Sequence, residues 1–330
     1  MNRKEFLKLA GLAGLQLILP STAGIAYARS DLNQTGLLLD SFFLKHNMGL
    51  FHPETPERLK RVESTLKSAE IYKSLQVFNT SGSAEKLVSL IHTQRHIDSI
   101  KARRPVSHEV ACRVIDGARL AADMVMRGDL KNAFCAVRPP GHHAKNTGII
   151  EGFCVYNSIA VLARYLQKEH GLKRILIIDW DYHHGNGTES AFYTDPSILF
   201  FSTHDQHAYP GTGSPDRTGS GKGEGYNINV HLPCGTTDDD IVNAFTSKLL
   251  PAAEAFKPEF ILISAGFDSR KKDTLGCFDI TDDGFRELSR ITMTIADRHC
   301  KSRIISILEG GYNLQGNADA TLAHVETLAS

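Results

Sequence analysis

Two carboxylates and two imidazoles stand within six residues in Asp179-Trp180-Asp181-Tyr182-His183-His184, directly after the apolar run 175–178. Such a group is costly to bury unless it binds something. Side chains alternate at a strand end, so Asp179, Asp181 and His183 point one way and offer hard and borderline ligands to a divalent ion. A second carboxylate, Asp268, follows the apolar run 260–264 through Ala265-Gly266-Phe267. Alone it reads as a turn or helix-cap residue. With Asp181 and His183 it completes an Asp/His/Asp set, and three protein ligands on zinc leave a position for water. The segment continues Ser269-Arg270 and lacks the further Asp-x-Asp pair that two bridged metals would want.

Two more segments add proton chemistry. Arg138-Pro139-Pro140-Gly141-His142-His143-Ala144 places paired histidines in a rigid loop, suited to acid–base work near neutrality. Asp179 can accept a hydrogen bond from one of them and fix its tautomer. Glu309-Gly310-Gly311-Tyr312-Asn313 follows another apolar run; its glycines permit a tight turn that aims a phenol at a developing oxyanion. Taken singly, the first is equally a surface loop and the second a core tyrosine.

These segments need elements that end together. Apolar or β-branched runs at 36–40, 133–137, 174–179, 198–202, 226–232, 260–264 and 304–308 read as strands. Helical stretches lie near 56–72, 108–127, 156–170, 239–256 and 282–300. The alternation predicts an α/β fold: a single domain with a doubly wound, mainly parallel sheet and helices on both faces. Glycine-rich loops at 139–152, 185–188, 211–225 and 310–311 follow the strands, where open α/β sheets bind ligands.

The 330 residues carry 37 basic and 37 acidic side chains, with 42% hydrophobic residues, which excludes a disordered or coiled-coil chain. Zero net charge gives no general attraction to nucleic acid. Lys101-Ala102-Arg103-Arg104 and Arg270-Lys271-Lys272 are short charge runs that read as solvated faces. Cys112, Cys135, Cys154, Cys234, Cys277 and Cys300 form no C-x-x-C and read as small buried hydrophobes.

Residues 1–28 have the layout of an export signal: Arg3 and Lys4, an apolar stretch at 6–19, Pro20, and Ala26-Tyr27-Ala28 as a cleavage site. The stretch is too short and too rich in Gly and Ala for a good membrane span. Arg3-Lys4-Glu5-Phe6-Leu7-Lys8 resembles a twin-arginine signal with Lys4 at the second arginine. The expectation is cleavage, a catalytic domain at 29–330 and a periplasmic location. An amphipathic helix docked on the domain, in a cytoplasmic protein, is the alternative.

Taken in order, six motifs resemble the zinc-dependent histone deacetylase family, in particular its class II and bacterial branch. They are His52-Pro-Glu-Thr-Pro-Glu-Arg-Leu59, Arg138-Pro-Pro-Gly-His-His-Ala144, Asp179-Trp-Asp-Tyr-His-His-Gly-Asn-Gly-Thr188, Tyr209-Pro-Gly-Thr-Gly213, Ser264-Ala-Gly-Phe-Asp268 and Glu309-Gly-Gly-Tyr-Asn313. The resemblance runs from about Thr35 to the C-terminus and implies an arginase/deacetylase-like fold. It implies one zinc on Asp181, His183 and Asp268. His142 and His143 match the acid–base pair, with His143 the base, Asp179 behind His142 and Asn186 behind His143. Tyr312 matches the oxyanion-stabilising tyrosine. Gly152, Phe153 and Tyr209 match an acyl-lysine tunnel, with His52 also at the substrate side. Leu275 sits where polyamine-selective relatives use a glutamate. The resemblance also implies potassium at two sites. One involves Asp179, Asp181, His183, Ser202 and Thr203, and the other uses carbonyls around Phe192, Asp195, Ile198 and Tyr226.

Two departures touch the rim: Glu151 precedes Gly152-Phe153-Cys154 where methionine is usual, and Asp273-Thr274-Leu275-Gly276 replaces Asp-Pro-Leu-Gly. The implied partners are an acylated lysine in a peptide or protein, or an acylated small amine. The implied activity is metal-dependent deacylation, with acetylpolyamine amidohydrolysis as the runner-up and a non-catalytic acyl binder as a third reading.

Overall fold

The computed structural model describes residues 34–330. The expected export signal at 1–28 lies outside the described residues. Eight strands form one sheet: β1 (Thr35–Leu38), β2 (Gln76–Phe78), β3 (Asn132–Cys135), β4 (Ile175–Asp179), β5 (Ile198–His204), β6 (Asn227–His231), β7 (Phe260–Ala265) and β8 (Ile304–Leu308). The order is β2-β1-β3-β8-β7-β4-β5-β6 and every neighbouring pair is parallel. The central strands are buried along their whole length, as parallel strands covered on both faces must be.

The larger helices are α1 (Pro56–Ser68), α2 (Gln94–Arg103), α3 (Pro105–Arg127), α4 (Ser158–His170), α5 (Asn186–Phe192), α6 (Asp238–Ala244), α7 (Asp282–Ile295) and α8 (Leu314–Leu328). α6 runs on through a π turn at Phe245–Leu249 into Leu250–Phe256. α1, α7 and α8 pack together, while α3 packs on α4. Asn157 and Asn313 start α4 and α8 by accepting from Ala160 N and Gly316 N. No helix among the described residues is long and apolar enough to cross a membrane.

The seven expected strands are all present, shifted by a few residues at some ends, and β2 joins them at the sheet edge. The cysteine reading is corrected in part. Cys112, Cys135, Cys154 and Cys300 are free and buried, but Cys234 and Cys277 form a disulfide across a 5.1 Å Cα separation. They lie on two connections, after β6 and after β7, that the fold brings side by side.

Strands β3, β8, β7 and β4 are consecutive in the sheet, and the four chemistry-bearing segments leave their carboxyl ends. Register sets Asp179 opposite Ser264 on β7 and Ser202 on β5. Between segments distant in sequence, the sheet supplies the common plane.

Candidate active site

Trp180 is fully buried, with its ring against His324 at 5.2 Å and near Phe245 and Phe285. That anchor turns Asp179 and Asp181 the other way, into the site. His183 Nδ1 lies 3.2 Å from Asp181 Oδ1 and 3.1 Å from Asp268 Oδ2. One ligand atom from each of the three residues falls within 4.8 Å of the others. Backbone amides hold the outer lone pairs: Gly310 N donates to Asp181 Oδ2 and Tyr182 N to Asp268 Oδ1. A Cβ on Gly310 would stand 2.1 Å from Asp268 Oδ2, so only glycine lets β8's exit approach this closely. Burial and the charge of Asp181 push Asp268 up to about 6. Two buried carboxylates sharing one imidazole fit a divalent ion, and the oxygen/nitrogen donor set suits zinc.

The histidine pair sits against this cluster. His142 Nδ1 is 3.0 Å from Asp179 Oδ2, and His143 Nδ1 is 2.9 Å from Asn186 Oδ1. The two imidazoles have different environments. Burial alone would lower His142, but Asp181 and Asp179 hold it well above the usual histidine value. Burial and the adjacent His142 hold His143 well below it. His143 therefore stays neutral near pH 7 and faces the cavity, as a base must.

Glu309, Cys154 and His142 form a second close group. Its donors are already engaged. Glu309 Oε2 accepts from Gly141 N at 2.5 Å and from His142 N at 3.2 Å, and Cys154 Sγ contacts His143 N and Gly152 O. This group braces the histidine loop. Sequence reasoning used Glu309 only as part of a motif; its offset one residue past β8 was the available signal.

Tyr312 closes the third side. Asp273 Oδ2 accepts from Tyr312 N and Asn313 N, and the Arg58 guanidinium lies 4.8 Å above the ring. Burial raises the phenol well above its ordinary value, so it remains a hydrogen-bond donor. Asp273, singled out only as part of a departure, positions this loop.

A cavity of about 460 Å³ descends to this floor, lined by His143, His183, Tyr312, Phe153, Tyr209 and Leu275, with Gly152 on one wall. Gly152 has φ +49°, and a Cβ there would strike His143 at 2.2 Å. Tyr209 and Leu275 are part-exposed at the rim. His52 does not line this cavity. It packs edge-on behind Phe153 at 4.5 Å and lines a neighbouring groove. Glu151 lines neither space: its carboxylate accepts from Thr147 Oγ1 and Lys145 N and faces Lys145 Nζ at 3.6 Å.

The residues expected at the first monovalent site are also adjacent. Asp181 N donates to Asp179 Oδ1, β4 pairs Asp179 with Ser202, and the buried Thr203 hydroxyl has no partner. At the second, Asp195 N donates to the Phe192 carbonyl and Ile198 N to that of Asp195, while the Tyr226 carbonyl is taken by Phe200 N.

The sequence matches the histone deacetylase domain over residues 52–328. It is 37% identical over 297 residues to a probable deacetylase of Archaeoglobus fulgidus, covering 86% of this chain and 82% of that protein. It is 38% identical over 299 residues to histone deacetylase 15 of Arabidopsis thaliana, covering 84% of this chain and 52% of the plant protein. The crystal structure of the HDA15 HD domain superposes with a TM-score of 0.83 at 33% identity, covering 90% of this chain and 88% of that one. With four adjacent strands delivering the candidate metal-ligand set, the histidine pair and the tyrosine to one cavity floor, the chain belongs to the histone deacetylase family of hydrolytic deacetylases.

Proposed function

We propose that this protein is a zinc-dependent amidohydrolase that removes acetyl or another acyl group from N-acyl-lysine side chains. The observation that carries this reading is the 460 Å³ cavity, which has His143, His183 and Tyr312 around its end and Phe153 on its wall. An extended lysine stem fits between apolar walls, with its acyl carbonyl at the polar floor.

Asp181, His183 and Asp268 are the residues that would hold the metal. When bound, zinc supplies Lewis acidity toward the acyl carbonyl and lowers the pKa of water. His143 takes the proton of the attacking water and, once protonated, delivers it to the departing amine. Asn186 fixes the His143 tautomer through the 2.9 Å contact. Tyr312 donates to the oxyanion of the tetrahedral intermediate. His142, paired with Asp179, keeps positive charge beside that centre. Potassium at the site formed by Asp179, Asp181, His183, Ser202 and Thr203 would neutralise part of the buried negative charge.

The metal-assayed protein should hydrolyse acetyl-lysine peptides in preference to N-acetylated spermidine or putrescine. Leu275 at the rim supports that order, because it offers no carboxylate to a polyamine's free ammonium groups. Faster turnover of the polyamines would replace lysine with the small-amine reading. We further propose that residues 1–28 direct export; N-terminal sequencing of the mature protein tests this, and an intact Met1 in the exported fraction would refute cleavage.

A further inference from the structure

Beside the tunnel lies a groove of about 480 Å³ that shares Gly152 and Phe153 with it. The groove is therefore within reach of residues next to an acyl-lysine held in the tunnel. Ile100 and Ile150 give it an apolar lining, and Arg103 and Arg104 give it charge. Among the described residues no carboxylate lines it. These arginines belong to the run Lys101-Ala102-Arg103-Arg104 that reads in sequence as a solvated face. The fold divides that run. Lys101 is paired with Glu85 at 2.7 Å. Arg103, ending α2, and Arg104, just before α3, are exposed, and neither forms an ion pair among the described residues. Ile149 stands half-exposed in the groove itself.

We propose that this groove receives the polypeptide next to the acyl-lysine and selects substrates carrying Asp or Glu within about three residues of it, a reach set by the roughly 3.3–3.6 Å advance of each extended residue. The inference rests on the acyl-lysine reading above. Two unpaired guanidinium groups and no acid make the groove complementary to a carboxylate, and Arg engages carboxylates bidentately. The same charge repels an acetylated polyamine, whose remaining amines are cationic, so the groove favours peptide over polyamine.

The test uses zinc-loaded protein and acetyl-lysine peptides of one sequence, with Glu, Gln or Lys placed in turn at each of the flanking positions. At its best position Glu should raise kcat/KM about fivefold over Gln at low ionic strength, the scale of exposed ion pairs. The difference should sit in KM and shrink toward about 0.15 M salt. The Arg103→Ala/Arg104→Ala double variant should lose the Glu preference while processing the Gln peptide at the wild-type rate. Arg103→Glu/Arg104→Glu should prefer Lys. A wild-type enzyme blind to Glu at every position, or a Glu preference surviving in both double variants, overturns the proposal. Fluorescence anisotropy with the same labelled peptides separates the two readings. A Glu preference in binding without hydrolysis supports the groove and defeats the hydrolase assignment. Sedimentation covers the other occupant: a wild-type dimer dispersed by the charge-reversed variant, with no peptide preference, makes the groove a self-interface and overturns the proposal.

Discussion

At Glu54, one buried carboxylate meets Arg138 at 2.6 Å, Arg58 at 3.3 Å and His46 at 3.3 Å. At Asp181 and Asp268, two buried carboxylates share the imidazole of His183, with His142 Nε2 3.7 Å from Asp181 Oδ2. The Tyr312 loop lies between the clusters, because Arg58 also donates to the carbonyls of Glu309 and Gly311 at 2.6 Å. Burial alone would raise Glu54, yet the adjacent His46 imidazole and the two arginines bring it down to about 2. Asp268 moves the other way, to about 6. A cluster that satisfies itself with cations from the chain is a brace. A cluster with one carboxylate left short of positive charge, at the end of a cavity, is a candidate for a cation from outside the chain.

The largest expected effect separates the two roles. Asp268→Ala should remove bound zinc and reduce hydrolysis to background while leaving the thermal transition cooperative, as measured by metal analysis, turnover and circular dichroism. Retained stoichiometric zinc would mean that Asp268 is not a ligand. Glu54→Gln should do the reverse. It strands buried Arg138 and should cost about 3–5 kcal/mol in denaturant unfolding, without altering the metal ligands. A loss below about 1 kcal/mol would show that the cluster contributes little as a brace.

A smaller effect follows from pH. Glu54 is depressed from 4.5 to about 2. Its stabilisation is therefore fully present above about pH 4.5 and is lost as pH falls through that window toward 2. Metal affinity should weaken earlier, as Asp268 gains a proton near pH 6. Zinc release should thus precede unfolding during an acid titration followed by metal release and far-ultraviolet dichroism. Simultaneous loss would mean that the two clusters are not independent.

The two regions were also unequally legible in the sequence. Asp181, His183, Asp268, His142, His143 and Tyr312 stand within about eight residues of the ends of apolar strands, so local spacing marks them as loop-borne polar groups at one sheet edge. Glu54 and Arg138 are 84 residues apart, and only the packed fold reveals their pairing. The same rule covers Cys234 and Cys277, 43 residues apart on separate connections. The buried strands were readable because both faces are apolar. β2 was not, since it is a three-residue edge strand with mixed exposure. α8 was missed because it is buried on several sides and mixes Leu and Ala with buried Asn317, Thr321, His324 and Thr327, which leaves no clean polar stripe to set its period. α2 was hidden by its many polar residues, and its last residue, Arg103, lines the groove beside the tunnel with Arg104.

The most direct test of the central claim is the activity and metal content of Tyr312→Phe. The ring, its packing beneath Arg58 and all three ligands remain, and only the oxyanion donor is lost. The account predicts full zinc occupancy and an acetyl-lysine hydrolysis rate lower by about 10²–10³. Wild-type turnover by this variant would contradict it.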